Sequence, residues 1–168
     1  MLPDDQLGDT RELHVAWLEY YRQTVERKLE GLSDAELRSS RLPSGWSPLE
    51  LLKHLVFMER RWLRWGYTAE PVDRPWGDSG GVDDAPWQLD AEDTLAGLLD
   101  QLRSGGQRTQ EIVAGAELTS RGAVGGRFGA DDEPPTLNWI LFHVLQEYAR
   151  HIGQLDIARE LADGVTGE

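Results

Sequence analysis

Apolar residues recur at helical intervals in four long stretches of this chain, and no stretch keeps the two-residue alternation of a strand. The first stretch opens on Asp9, with Glu12 three residues on as a capping box. It then sets Leu13, Trp17, Tyr20, Tyr21, Thr24, Val25 and Leu29 on one face before Gly31 stops it. Ser33 to Leu37 repeats the cap over one short turn. The second stretch has the sharpest start: Ser47 caps, Pro48 takes the first helical position and Glu50 closes the box, with Trp46 placed to staple the turn. Leu51, Leu52, Leu55, Val56, Met58, Trp62 and Leu63 form its apolar arc, which places Arg60, Arg61 and Arg64 toward water. Residues 66–90 break the rhythm with proline, glycine and acids, and predict a long connection that Trp76 and Trp87 pin to the body. A third helix is predicted from about Ala91, carrying Leu95, Leu98, Leu99, Leu102, Ile112 and Val113, with a weak or bent point at Gly105-Gly106. After a mobile, glycine-rich connection over 115–135, Thr136 caps a fourth helix running to Leu161. Leu137, Ile140, Leu141, Val144, Leu145, Tyr148, Ile152 and Leu155 form its buried stripe. Four amphipathic helices predict an all-α four-helix bundle, a single domain over residues 1–168.

Composition narrows the partners. The formal charge of −13 argues against a nucleic-acid backbone, which selects for clustered Lys and Arg. No apolar run approaches the roughly 20 residues of a membrane span, and the polar, acidic opening MLPDDQLGDTRE is no signal peptide. No membrane partner and a cytoplasmic location are expected. The chain has no cysteine, which excludes disulfides, thiolate metal sites and a cysteine nucleophile.

Candidate chemistry concentrates on the fourth helix. His143, Glu147 and His151 stand four residues apart, so neighbouring pairs project to the same side. With only four histidines in the chain, a ligand from another helix must be His14 or His54. His14 reads as a partly exposed helix histidine, whereas His54 lies at the edge of the second apolar arc. A glutamate and two imidazoles suit Zn²⁺, with Ni²⁺, Fe²⁺ or Mn²⁺ also admissible, and three protein ligands leave a coordination position open. On spacing, His143 competes with His151 for the place beside Glu147, and an ordinary salt bridge from Glu147 to Arg150 or Arg159 competes with both. Gln154, one turn beyond His151, is placed to hydrogen-bond its ring. GAVGGRFG lacks the lysine and the strand–helix context of a phosphate loop.

SGWSPLELLKHL followed by HVLQEYARHIGQLDIARE resembles the DinB-like four-helix-bundle superfamily, and more narrowly its actinobacterial minicircle-type branch. Relatives include mycothiol-dependent maleylpyruvate isomerases and bacillithiol transferases. The resemblance covers almost the whole chain. It implies an up-down-down-up bundle with a long crossover, a divalent metal held by His54, Glu147 and His151, and a homodimer. It also implies a thiol-dependent S-transferase or isomerase acting on a small electrophile, with the sulfur borrowed from an external low-molecular-weight thiol. Two other functions are consistent with the same residues: a non-catalytic bundle that binds a metal or small molecule, and a metal-assisted hydrolase.

Overall fold

A computed structural model describes residues 2–81 and 86–166, so residues 82–85 of the 66–90 connection and the last two residues lie outside it. Five α-helices are present among the described residues: α1 (Thr10–Leu29), the single-turn α2 (Asp34–Arg38), α3 (Pro48–Arg60), α4 (Leu95–Gly115) and α5 (Leu137–Asp163). The caps of α1, α2 and α3 fall on the residues that the sequence marks, with Asp9 forming one half of its expected box. Asp9 accepts from the Glu12 amide, and Ser33 and Ser47 each form a full capping box.

Side-chain pairs fix how the four long helices run. His14 meets Asn138 and Lys28 meets Asp156, so α1 and α5 are parallel. Arg11 donates to the Val113 and Ala116 carbonyls while Arg103 pairs with Glu26, so α1 and α4 are antiparallel. Trp62 lies against Trp139 and His54 against His151, which makes α3 antiparallel to α5. Lys53 reaches Asp93 at the head of α4, and Glu59 meets Thr109 further along, which makes α3 parallel to α4. The order is therefore up-down-down-up. Parallel neighbours require the chain to travel back along the bundle, which is why a long crossover separates α3 from α4.

The core is leucine-rich. Leu18, Leu29, Leu49, Leu52, Leu55, Leu102, Ile140 and Leu141 are all shut off from water. At its centre sits a polar knot with one member from each long helix. The Glu59 carboxylate accepts from the Arg22 guanidinium, from Thr109 Oγ1 and from the Tyr148 hydroxyl at 2.6 Å. Every oxygen of this buried acid thus faces a donor, the condition under which a buried charge is tolerated.

Several local expectations change. Beyond Arg60 the chain does not simply run on to its break: Arg61–Tyr67 winds as a π-helix, in which the Thr68 amide donates five residues back to the Leu63 carbonyl. The wider turn swings Arg61 inward, so it is 6% exposed rather than facing water. The third helix begins at Leu95, not Ala91, because Asp93 is occupied by Lys53 and the Asp90 amide, and Thr94 supplies the cap. Gly105-Gly106 does not interrupt α4. An added Cβ on Gly106 would come within 2.8 Å of Arg22 Nε, so this glycine makes the passage through which Arg22 reaches Glu59. The 115–135 connection is tied down: the Ala123 and Arg127 amides donate to the Tyr67 and Trp65 carbonyls, and those of Leu137 and Asn138 to Ser120 and Leu118.

Candidate metal centre

His54 sits two turns into α3 and Glu147 and His151 lie at the middle of α5; because these helices are antiparallel neighbours, the three side chains converge. One donor atom from each lies within 4.8 Å of the other two. His54 Nε2 is 3.6 Å from Glu147 Oε2, and His151 Nε2 is 3.1 Å from the same oxygen. The two imidazole rings meet edge to face, 4.7 Å between centroids.

Each ring is gripped from behind. His54 Nδ1 lies 3.0 Å from Asp78 Oδ2, and His151 Nδ1 lies 2.6 Å from Gln154 Oε1. Both partners are acceptors, so each Nδ1 carries the proton and each Nε2 is left with a bare lone pair. Those lone pairs face a carboxylate oxygen. Three electron-rich atoms turned on one another repel unless a positive charge lies among them. His54 Nε2 is moreover buried with no hydrogen-bond partner, which in a native interior calls for a reason. A divalent cation would supply such a reason, and the N/N/O donor set fits one.

Asp78, which the sequence gives no means of singling out, is fully buried and clamped by the two terminal guanidinium nitrogens of Arg61, the residue that the π-helix turns inward. Burial pushes the Asp78 carboxyl up, but the contacts with His54 and Arg61 outweigh it and leave it below its ordinary value. Trp87 stacks on the His54 ring at 4.2 Å, and Trp76 packs on Arg61, so the crossover is pinned where its tryptophans suggested.

The other two histidines go elsewhere. His143 packs between Trp62 and Trp139, away from Glu147's partners, and burial pushes its imidazole below the ordinary histidine value. His14 is buried, not partly exposed, and its Nε2 meets Asn138 Oδ1 at 3.0 Å. Arg159 spends its charge on Asp163 and on the Lys28 and Glu30 carbonyls, not on Glu147. A cleft of about 420 Å³ opens beside His151. Trp46 and Trp87 face into it, with Glu50, Arg150 and Gln154 as its polar lining.

A model of mycothiol-S-transferases matches residues 13–164. The chain belongs to that family. Membership agrees with the DinB-like bundle that the two motif segments resemble, and it extends over all four long helices. Among curated proteins there is no match. No helix among the described residues is long and apolar enough to cross a membrane.

Proposed function

We propose that this protein is a metal-dependent, mycothiol-type S-transferase, or an isomerase working by the same thiol addition, with His54, Glu147 and His151 as the metal ligands. The supporting observation is the buried, partnerless His54 Nε2 turned toward Glu147 and His151. Zn²⁺ suits these donors best. When bound, such a cation supplies the charge that keeps a small thiol ionised at neutral pH.

The chain's own residues do the rest. Asp78 and Gln154 fix both rings in the tautomer that presents Nε2. Trp87 covers His54 and keeps bulk water from that side. The cleft between Trp46 and Trp87 admits the thiol and a small electrophile beside His151. With no cysteine in the chain, the sulfur must be brought in, and it forms a bond to the electrophilic carbon while the leaving group or conjugated acceptor takes the electron pair. A reaction that consumes a reduced thiol belongs in the cytoplasm, and the active unit is a homodimer.

Protein purified without an imidazole column should carry close to one divalent metal per chain by elemental analysis. His54→Ala and His151→Ala should lose it, and His14→Ala and His143→Ala should keep it. Unchanged metal in the first pair removes the ligand set. Turnover of an electrophile panel at the same rate with and without added thiol would point to hydrolysis instead.

A further inference from the structure

Cations are scarce in this chain and nearly all of them are engaged. Against 30 Asp and Glu there are 17 Lys and Arg. Among the described residues, every one of these cations but Arg150 has a hydrogen bond, an ion pair or an aromatic ring beside it. Arg150 has none, although it stands on α5 three residues past Glu147, a spacing that suits a salt bridge. Glu147 does not take it up, because its Oε2 faces the rings of His54 and His151.

The idle guanidinium is not on a remote surface. Arg150 lines the cleft beside His151, and Glu147, Arg150, His151 and Gln154 follow at helical steps that keep them on one side of α5. The acid in the same lining is Glu50, whose carboxylate is committed to the Ser47 amide at the head of α3. Trp46 and Trp87 supply aromatic walls. A cleft of about 420 Å³ with such walls and an uncommitted cation suits a small molecule with an apolar body and a negative end. The planar fork of an arginine matches a carboxylate through two parallel hydrogen bonds. Of the two reactants, the thiol has its anchor at the metal centre. The electrophile has no such anchor, and attack needs its carbon held in line with the sulfur. We propose that the electrophile carries a carboxylate and that Arg150 binds it, so that this residue selects and orients that reactant. The proposal rests on the transfer reading above and names its substrate class.

Iodoacetate and iodoacetamide differ in that charge and little else, and with no cysteine in the chain the added thiol is the only sulfhydryl they meet. Transfer to either forms a carbon–sulfur bond as the carbon–iodine bond breaks, and iodide leaves with the electron pair. Metal-loaded wild type supplied with mycothiol should favour iodoacetate once each rate is divided by its uncatalysed rate. Arg150→Gln should lose about tenfold of that preference, the scale of one charge-assisted contact, through KM rather than kcat. Arg150→Lys, which keeps the charge but not the fork, should fall between. Metal content and melting temperature should hold in both variants, because Arg150 supports no neighbour. Benzoate and benzamide, titrated without thiol and followed by tryptophan fluorescence, test the same contact without turnover: wild type should prefer benzoate, and Arg150→Gln should not. Equal affinities in the wild type, or a benzoate preference that survives Arg150→Gln, overturn the proposal and leave transfer standing. No turnover of either iodo compound, with a benzoate preference that Arg150→Gln removes, sinks the transfer reading and supports Arg150 as a carboxylate anchor. A preference for N-acetylcysteine over its amide that Arg150→Gln removes would place the carboxylate on the thiol, and overturns its assignment to the electrophile.

Discussion

Asp78 holds its place through two grips of different kinds: a bidentate guanidinium from Arg61 and a ring nitrogen of His54. Its charge fixes the proton on His54 Nδ1 and makes Nε2 a better donor to a cation. Asp78→Asn keeps the shape and an acceptor but removes the charge. Partners at this remove from a metal typically govern about 10–100-fold in affinity. Chelator competition should therefore show metal leaving Asp78→Asn at least an order of magnitude more readily, while Gln110→Ala, on the far side of the bundle, should match the wild type. Of the candidate ligands, Glu147 and His151 were legible in part: they share a face by arithmetic, but His143 has the same spacing, and His54 came from the resemblance; Gln154 stands one turn on. Asp78 was not, since it is one acid among several in an aperiodic connection. His14 was misjudged for a related reason. Its partner, Asn138, lies on another helix, and only packing reveals that a polar pair lets an imidazole go inside.

Adjacent glycines in α4 divide the work of that helix. Gly105 faces open space, whereas Gly106 lies against the Arg22 side chain. Glycine costs a helix interior about 1 kcal/mol relative to alanine, so the two alanine substitutions should act with opposite sign. Gly105→Ala should raise the urea midpoint. Gly106→Ala should lower it, because the new methyl takes space that Arg22 needs to reach a buried carboxylate. Equal gains from both would show that Arg22 moves aside freely. This division could not be read from the sequence, where two glycines count only as two weak helix formers. Caps and apolar faces were readable, because they depend on a few adjacent residues. The π-helix was not, since Arg61–Tyr67 carries no break signal before Gly66. Its widened turn is sustained by tertiary contacts: Arg61 on Asp78, and the 115–135 connection on the Trp65 and Tyr67 carbonyls. The same contacts explain why a glycine-rich connection that reads as mobile is instead tied to the bundle.

Four helices that touch mainly through aliphatic side chains can slide in register at small cost, and the Glu59 knot is the contact that forbids it. Arg22, Glu59, Thr109 and Tyr148 come one each from α1, α3, α4 and α5, so the bundle can satisfy this acid in only one alignment. Burial alone would raise the Glu59 carboxyl. The Arg22 charge and the hydrogen bonds from Arg22, Thr109 and Tyr148 outweigh it and hold the group below its ordinary value. Burial and the Glu59 charge together keep the Tyr148 phenol protonated, so it stays a donor. A carboxyl whose folded value is depressed adds stability above its unfolded value, about 4.3 for glutamate. That contribution is lost as the pH falls below this and through the folded value. Glu59→Gln replaces the charge with an amide and leaves Arg22 buried without its counter-ion. Breaking one side of a buried pair costs about 3–5 kcal/mol. Urea unfolding at neutral pH should therefore find Glu59→Gln less stable by several kcal/mol, with the gap constant down to about pH 5 and closing as acid protonates the wild-type carboxyl. A gap that stayed constant through the acid limb would mean that the lost interaction is packing rather than charge, and the knot would then set the alignment of the helices by shape alone.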